Sequence, residues 1–215
     1  MKSPSCPLCN ILLDETKTIE SFGREFLSCH HCSLIFTSAQ SLPDGISEKS
    51  RYENHENNIE DEGYVKFLNQ AIEPALSYLN TSSRILDFGC GPQPVLSQLL
   101  QRMGHQCENY DPFFYPILPS GQFNIIFSTE VFEHFHHPDK ELQRVTDLLA
   151  PDGLLVIMTE FYQDSEHFSK WWYTRDFTHV SFYNQDTFKY ICKEFGYLLM
   201  YTDEKRVAIL RKEKL

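Results

Sequence analysis

Three groups of residues in this chain have types and spacings that could do chemistry. The first is a pair of thiol knuckles, Cys6-Pro7-Leu8-Cys9 and Cys29-His30-His31-Cys32, separated by nineteen residues. Two C-x2-C pairs at this spacing are the donor set of a closed, tetrahedral structural site, so Cys6, Cys9, Cys29 and Cys32 are read as Zn²⁺ ligands. The second group is Ile85-Leu86-Asp87-Phe88-Gly89-Cys90-Gly91. A strand that turns into a helix through Gly89 and Gly91 lets a ligand approach bare backbone, and the helix start offers N–H groups to a carboxylate or phosphate. Asp111 falls at a strand end twenty residues beyond Gly91, where an acid can hold ribose hydroxyls. The third group is Glu130-Val131-Phe132-Glu133-His134, whose acids and imidazole stand at i, i+3 and i+4. On a helix these three share one face and suit a hard divalent cation such as Mg²⁺ or Mn²⁺.

The elements that must position these groups follow from periodicity. Residues 1–42 read as a zinc ribbon, with a hairpin through Ile19 to Phe26 and an exit turn at Ser41-Leu42-Pro43-Asp44-Gly45. Residues 43–80 read as a linker and covering helix. In it a polar, mobile stretch from Arg51 to Asn58 precedes a helical pattern over Tyr64 to Leu79, with Val65, Phe67, Leu68, Ala71, Ile72, Leu76 and Leu79 on one side. Residues 81–215 alternate strands and helices: strands at Ile85 to Asp87, Gln106 to Tyr110, Phe123 to Phe127 and Leu154 to Met158, helices at Pro94 to Met103, Asp139 to Leu149 and Thr187 to Glu194. Tyr197 to Tyr201 and Arg206 to Leu210 read as a closing hairpin. The expected fold class is α/β, a Rossmann-like and mostly parallel sheet with an antiparallel closing hairpin, carrying a small N-terminal zinc-ribbon module.

Asp87 ahead of the glycines sets this loop apart from dinucleotide-binding loops, and the segment resembles that of class I S-adenosylmethionine-dependent methyltransferases. The blocks Phe123 to His134 and Leu148-Leu149-Ala150-Pro151-Asp152-Gly153-Leu154-Leu155 also resemble that family, so the likeness runs over roughly residues 75–211. It implies S-adenosylmethionine as cofactor, with Asp87, Gly89 and Gly91 at the methionine moiety, Asp111 at the ribose, and Glu130 facing the cofactor from the end of strand four. Two features depart from the pattern. Gln93 stands where many members have a third glycine, so its side chain must turn away. Only ten residues separate Pro112 from Phe123, too few for the usual helix and third strand, so that strand is expected to be short or missing. Phe113 or Phe114 would then stack on adenine, or both serve as core aromatics.

Glu130-Val131-Phe132-Glu133-His134 further resembles the metal-binding E-x-x-E-H of small-RNA 2′-O-methyltransferases and ubiquinone-pathway O-methyltransferases. In the RNA enzymes a downstream histidine joins, and His179-Val180-Ser181-Phe182 could supply it. Glu130, Glu133, His134 and His179 are thus candidate cation ligands, and the alternative is a packed, hydrogen-bonded histidine. Methyl transfer from a sulfonium is an in-line displacement in which the acceptor must lose a proton. For an alcohol, His134 or His179 would act as base or ligand, supported by Glu133. The segment Trp171 to His179 offers Trp172, Arg175 and Asp176 as an acceptor floor, or an aromatic cluster that closes the domain. Tyr52, His55 and Asn58 could close over the cofactor or form a solvated linker, and His136-His137 reads as a surface turn.

Composition bounds these readings. A chain of 215 residues, 41% hydrophobic and 14% aromatic, suits one ordinary domain plus a small appendage. The formal charge of −11 would repel a phosphate backbone, so nucleic acid is disfavoured as partner and a small-molecule or glycan-type hydroxyl is favoured as acceptor. An RNA methyltransferase and a noncatalytic cofactor-binding module with a partner-docking ribbon are the competing readings. No apolar run approaches the ~18–20 residues of a membrane span, and Met1-Lys2-Ser3-Pro4 shows no signal-peptide core. Seven cysteines, four of them in metal-type pairs, favour a reducing cytoplasm, with Cys90, Cys107 and Cys192 as buried thiols. There is no G-x-S-x-G and no phosphate-binding G-x-x-x-x-G-K-[ST], so hydrolysis and phosphoryl transfer lack support.

Overall fold

The computed structural model of the chain describes residues 3–13, 17–54 and 57–214, so His55 lies outside the described residues. Each thiol knuckle closes in the same way. Asn10 and Ser33, with φ of 59° and 58°, follow the second cysteine of each pair in the left-handed region. Their N–H groups return to the carbonyls of Cys6 and Cys29 at 2.9 and 3.0 Å. Between the knuckles β1 (Lys17–Ser21) and β2 (Arg24–Ser28) form a hairpin. Its Phe22-Gly23 turn has φ of 47° and 76°, the conformation that matches strand twist in a two-residue loop. β3 (Ile35–Thr37) pairs antiparallel with β2.

Asp44 does not end the module in a turn. Its carboxylate accepts from the N–H groups of Ile46 and Ser47 and caps helix α1 (Gly45–Glu53). The segment read as a mobile linker is therefore helical up to Glu53. Its apolar signal is weak because α1 buries chiefly one residue, Glu48, against the domain. α2 (Glu62–Ala75), capped by Asp61, buries Leu68, Ala71, Ile72 and Ala75, and a single 3-10 turn over Leu76–Tyr78 follows it.

The main sheet takes β4 (Ile85–Phe88), β5 (Cys107–Tyr110), β6 (Phe123–Thr129), β7 (Leu149–Met158), β9 (Tyr197–Thr202) and β10 (Val207–Lys212). Their order is β5-β4-β6-β7-β10-β9, parallel from β5 to β7, with β10 antiparallel to both neighbours. α2 and α3 (Val95–Arg102) cover one face, where Leu68, Ile72, Val95 and Leu96 meet Ile125, Phe127 and Val156. α4 (Pro138–Leu148) and α6 (Gln185–Phe195) cover the other, where Leu142, Val145 and Ile191 meet Ile126, Leu155 and Leu210. Ile125 and Phe127 thus face one core while Ile126 faces the other, which is why a strand buried on both sides reads as an unbroken apolar run. The expected third strand is absent from the described residues between β5 and β6. The chain makes only a tight Asp111 to Tyr115 turn there, with mutual backbone bonds at 3.1 and 3.0 Å.

The ribbon sheet is completed from the other end of the chain. Strand β8 (Ser181–Phe182) pairs with β3, putting Ile35 opposite Phe182 and Phe36 opposite Ser181. Phe26 meets Phe168 of α5 (Ser165–Lys170) and Phe182 edge to face at 5.1 and 5.4 Å, within a buried cluster that includes Trp171 and Tyr173. Among the described residues no helix is long and apolar enough to cross a membrane.

Candidate active site

β4 and β6 are neighbours from which the chain departs in opposite directions, and such a switch point leaves a crevice at the strand ends. A cleft of about 600 Å³ opens there, a size suited to a small-molecule ligand. Gly89 lies in its wall with φ of 82°, and a Cβ there would sit 2.4 Å from Val131 Cγ2. Gly91, with φ of 65°, faces open space, so its bare backbone is available to a ligand. Asp111 ties the loop down, with Oδ2 accepting from Gly91 N at 3.0 Å and Oδ1 from the N–H groups of Phe113 and Phe114. Each carboxylate oxygen has more than one acceptor direction, so the carboxylate keeps capacity toward the cleft.

Asp87 is buried at the end of β4, and burial pushes its carboxyl up to about 7 against a hydrogen bond from the Ser97 backbone, with Asp111 adding repulsion. Phe113 lines the cleft beside Tyr52 of α1, whereas Phe114 is not among the lining residues. Gln93 is exposed on the rim. Cys107 is buried, but Cys90 and Cys192 are only half-buried, and Cys90 also lines the cleft.

The acid-rich segment does not form the expected helix. Glu130, the residue after β6, has a φ of 55°, Val131 has φ −130° and ψ −40°, outside the helical region, and only a 3-10 turn over Phe132–His134 follows. Tertiary contacts impose the convergence that helical spacing was expected to supply. The phenol of Tyr173 donates to Glu133 Oε1 at 2.5 Å and stands 3.4 Å from Glu130 Oε2. His134 Nδ1 donates to the Thr178 carbonyl at 3.0 Å, and His179 Nδ1 to the Tyr173 carbonyl at 2.8 Å. A carbonyl can only accept, so Nδ1 carries the proton in both rings, and in the neutral form each presents a bare Nε2. Burial and the neighbouring His134 pull His179 down to about 4, which keeps it neutral. Ligand atoms of Glu133, His134 and His179 lie within 4.8 Å of one another, and Glu130 stands outside that trio. Glu133 Oε2 and Glu130 Oε1 are buried with no hydrogen-bond partner.

Two imidazole lone pairs and an unpaired carboxylate oxygen around one point fit a divalent cation. The thiols fit one too. The Cys6 and Cys32 sulfurs are 3.5 Å apart, as are those of Cys9 and Cys29, near the ~3.8 Å edge of a tetrahedron with Zn–S bonds of about 2.3 Å. Hydrogen bonds from Cys32 and Cys6 hold the Cys29 thiol far below its ordinary value, while those of Cys6, Cys9 and Cys32 are pushed up, so the four sulfurs share one negative charge among them.

Trp172, Arg175 and Asp176 do not line the cleft. Trp172 is 62% exposed, Arg175 stacks on Phe22 of the ribbon hairpin at 4.2 Å, and Asp176 accepts both Nε and Nη2 of Arg51. The cleft wall comes instead from α1, which composition disguised: Glu48 and Tyr52 line it, and Glu48 receives His136 Nε2 at 3.0 Å. His136 is therefore tied to the helix over the site and is not a free surface residue. The Pro43-Asp44-Gly45 cap was the signal that could have revealed this helix.

The strand order and the glycine-loop cleft define a Rossmann-like methyltransferase fold. The chain belongs to the methyltransferase-domain family, whose model matches residues 60–201. No curated protein matches the sequence. Among solved structures it is similar to magnesium protoporphyrin IX methyltransferase from Synechocystis PCC 6803, determined with bound SAH, at 11% identity over 79% of this chain and 94% of that one, TM-score 0.51. It is also similar to a provisionally assigned methyltransferase of Bacillus halodurans C-125, at 13% identity over 68% and 99% of the chains, TM-score 0.51. A third is a chain of the Haloferax volcanii complex between the Trm112 methyltransferase activator and a methyltransferase, at 12% identity over 80% and 100%, TM-score 0.53. At these identities the likeness concerns the fold.

Proposed function

We propose that the protein methylates a hydroxyl of a small-molecule or glycan-type acceptor from S-adenosylmethionine, with a divalent cation held by Glu133, His134 and His179 and a structural Zn²⁺ in the four-cysteine cluster. The observation that carries this reading is the pair of imidazoles fixed as Nδ1–H tautomers beside Glu133, in the wall of a cleft whose other wall is the glycine loop. In this reading Gly89 and Gly91 give backbone access to the methionine part, Asp87 faces its ammonium, Asp111 the ribose and Phe113 the adenine. S-adenosylmethionine supplies a sulfonium-bound methyl, and a cation at the trio supplies Lewis acidity that lowers the acceptor hydroxyl's pKa.

The chain's own residues orient and exclude. α1 covers the cleft through Glu48 and Tyr52, and Tyr173 holds Glu133 beside the histidines through Oε1, leaving Oε2 without a hydrogen-bond partner. A bare Nε2 can ligate or take a proton, but not both at once. At about 4, His179 is a poor base and a good neutral ligand, so if no cation is used the proton goes to Nε2 of His134. The net charge of −11 supports a small acceptor over RNA.

The test is transfer of labelled methyl to nucleoside-diphosphate sugars, catechols and RNA, with chelator and with added Mg²⁺ or Mn²⁺, while the zinc content of the protein is followed. Cation-dependent labelling of a hydroxyl is expected. Chelator-insensitive turnover with zinc retained would overturn the cation and leave His134 as base; labelling of RNA alone would overturn the acceptor class.

A further inference from the structure

Arg24 is the first residue of β2, in the zinc ribbon, and its sequence context gives no hint of a role in the cleft. Its guanidinium is half-buried under the loop from Thr174 to His179. Nη1 donates to the carbonyls of Thr174 and Asp176 at 2.7 and 2.6 Å, and Nη2 to those of Phe177 and His179 at 3.3 and 2.8 Å. Its other side lies over the Phe26 ring at 4.8 Å. Four carbonyls of one short loop thus turn inward on a single cation. The two carbonyls that fix the imidazoles, those of Tyr173 and Thr178, belong to the same stretch and are directed at the histidines instead. Peptide planes are rigid, so fixing the carbonyls of residues 174, 176, 177 and 179 constrains the plane of the Thr178 carbonyl between them and that of the Tyr173 carbonyl, which adjoins the first.

We propose that Arg24 is a positioning residue through which the ribbon sets the tautomer and orientation of the His134–His179 pair. The planar fork matters, because a lysine ammonium has three donors on one nitrogen and cannot span four carbonyls spread across two guanidinium nitrogens. The ribbon backbone supports the same loop, since Thr37 N donates to the Val180 carbonyl at 2.9 Å and Ser21 Oγ meets Thr174 Oγ1 at 2.7 Å. A module that looks like an appendage in sequence is thereby part of the frame for the acceptor side. This inference rests on the reading of His134 and His179 as acceptor-side groups, but not on any particular acceptor.

The experiment compares zinc-loaded wild type with Arg24→Gln and Arg24→Lys. Long-range ¹H–¹⁵N spectra read the imidazole tautomers, and Mn²⁺ alone is titrated by electron paramagnetic resonance. Wild type is expected to show both rings as Nδ1–H. Both variants are expected to shift His134 and His179 toward tautomer mixtures and to weaken Mn²⁺ binding by roughly 10- to 100-fold, the range typical when a ligand's supporting hydrogen bonds are lost. Affinity for S-adenosylhomocysteine should stay within about twofold, because Asp87, Gly91 and Asp111 do not touch this loop. Arg24→Lys keeps the charge and serves if Arg24→Gln loses zinc or its folded spectrum. Unchanged tautomers and unchanged Mn²⁺ binding in either zinc-retaining variant would overturn the proposal. A tautomer shift in a protein that methylates none of the acceptors would instead sink the functional reading alone.

Discussion

Tyr173 holds Glu133 through its phenol at 2.5 Å, while its own backbone carbonyl, 2.8 Å from Nδ1 of His179, fixes that ring. One fully buried residue thus sets two members of the candidate cation site, from opposite ends of its own structure. Replacing it with phenylalanine keeps the ring contact with His179 and removes only the donor. Tyr173→Phe is expected to destabilise the fold by about 1–3 kcal/mol, because Glu133 would lose its hydroxyl donor in a dry environment. Mn²⁺ affinity should fall as well. Chemical denaturation and a Mn²⁺ titration check both, and an unchanged Mn²⁺ affinity would remove Tyr173 from the site.

The two loop glycines should respond unequally to alanine. At Gly89 the added Cβ meets Val131 Cγ2 at 2.4 Å and Cγ1 at 2.8 Å, in addition to the left-handed backbone. At Gly91 only the backbone is strained, at roughly 1–2 kcal/mol. Calorimetry with S-adenosylhomocysteine should show Gly89→Ala abolishing binding and Gly91→Ala weakening it less. The reverse order would mean that Val131 yields to a Cβ at Gly89 and that the ligand sits against the backbone at Gly91.

Asp87 supplies a pH dependence with a definite sign. Its folded-state value of about 7 lies above its ordinary 3.8, so the folded state holds the proton more tightly than the unfolded state. Its contribution to stability is complete below about pH 4 and is lost as pH rises toward 7. Relative to Asp87→Asn, wild type should therefore lose stability across that window. Binding of a cationic amine favours the carboxylate, so S-adenosylhomocysteine affinity should rise with pH through 7, with proton release on binding. Calorimetry in buffers of different ionisation enthalpy reads this; a flat profile would place the amine elsewhere.

Helix α1 should behave as a covering element with little weight in global stability. Arg51 donates from Nε and Nη2 to the one oxygen Oδ2 of Asp176, yet the arginine side chain is 39% exposed, so the pair is worth at most about 1 kcal/mol. Arg51→Ala is expected to leave the melting transition nearly unchanged while amide exchange over residues 46–53 accelerates. Equal exchange in both proteins would show that the Glu48–His136 pair and the contacts of Tyr52 hold the helix without Arg51.

Loss of zinc should be felt beyond the ribbon. Cys29→Ser is expected to release the metal and to lower the stability of the whole chain in one transition, because β3 pairs with β8 and Phe26 packs on Phe168 and Phe182. Metal analysis with a thermal scan checks this. Two separate transitions would restore the picture of an independent module.

The parts of the site legible in sequence are those whose spacing is local. The C-x2-C knuckles, the Gly89 and Gly91 loop after an apolar strand, and the acid at the end of β5 each take their shape from a turn or strand end of a few residues, so residue type and interval carry them, even though Asp111 reaches Gly91 across twenty residues. The shortness of the segment after Pro112 likewise indicated the missing third strand. Helix α1 escaped notice because an exposed helix that buries a glutamate has no apolar stripe to read. Arg24, Tyr173 and Arg51 escaped because their partners lie far along the chain, and hydrogen bonds to carbonyls leave no trace in residue types.

The sequence alone determined the doubly covered parallel sheet, the four-thiol cluster and the glycine-loop cleft, because periodicity, φ requirements and ligand spacing are short-range constraints. Only the tertiary structure decided that Glu133 meets His134 and His179 while Glu130 stands apart, and that none of Trp172, Arg175 and Asp176 lines the cleft: Trp172 is exposed, Arg175 stacks on the ribbon and Asp176 pairs with Arg51 of α1. A left-handed residue at Glu130 cancels the helical spacing. The convergence comes instead from a loop whose carbonyls are divided between an arginine of the ribbon and two imidazoles, and that division exists only once distant segments have packed together.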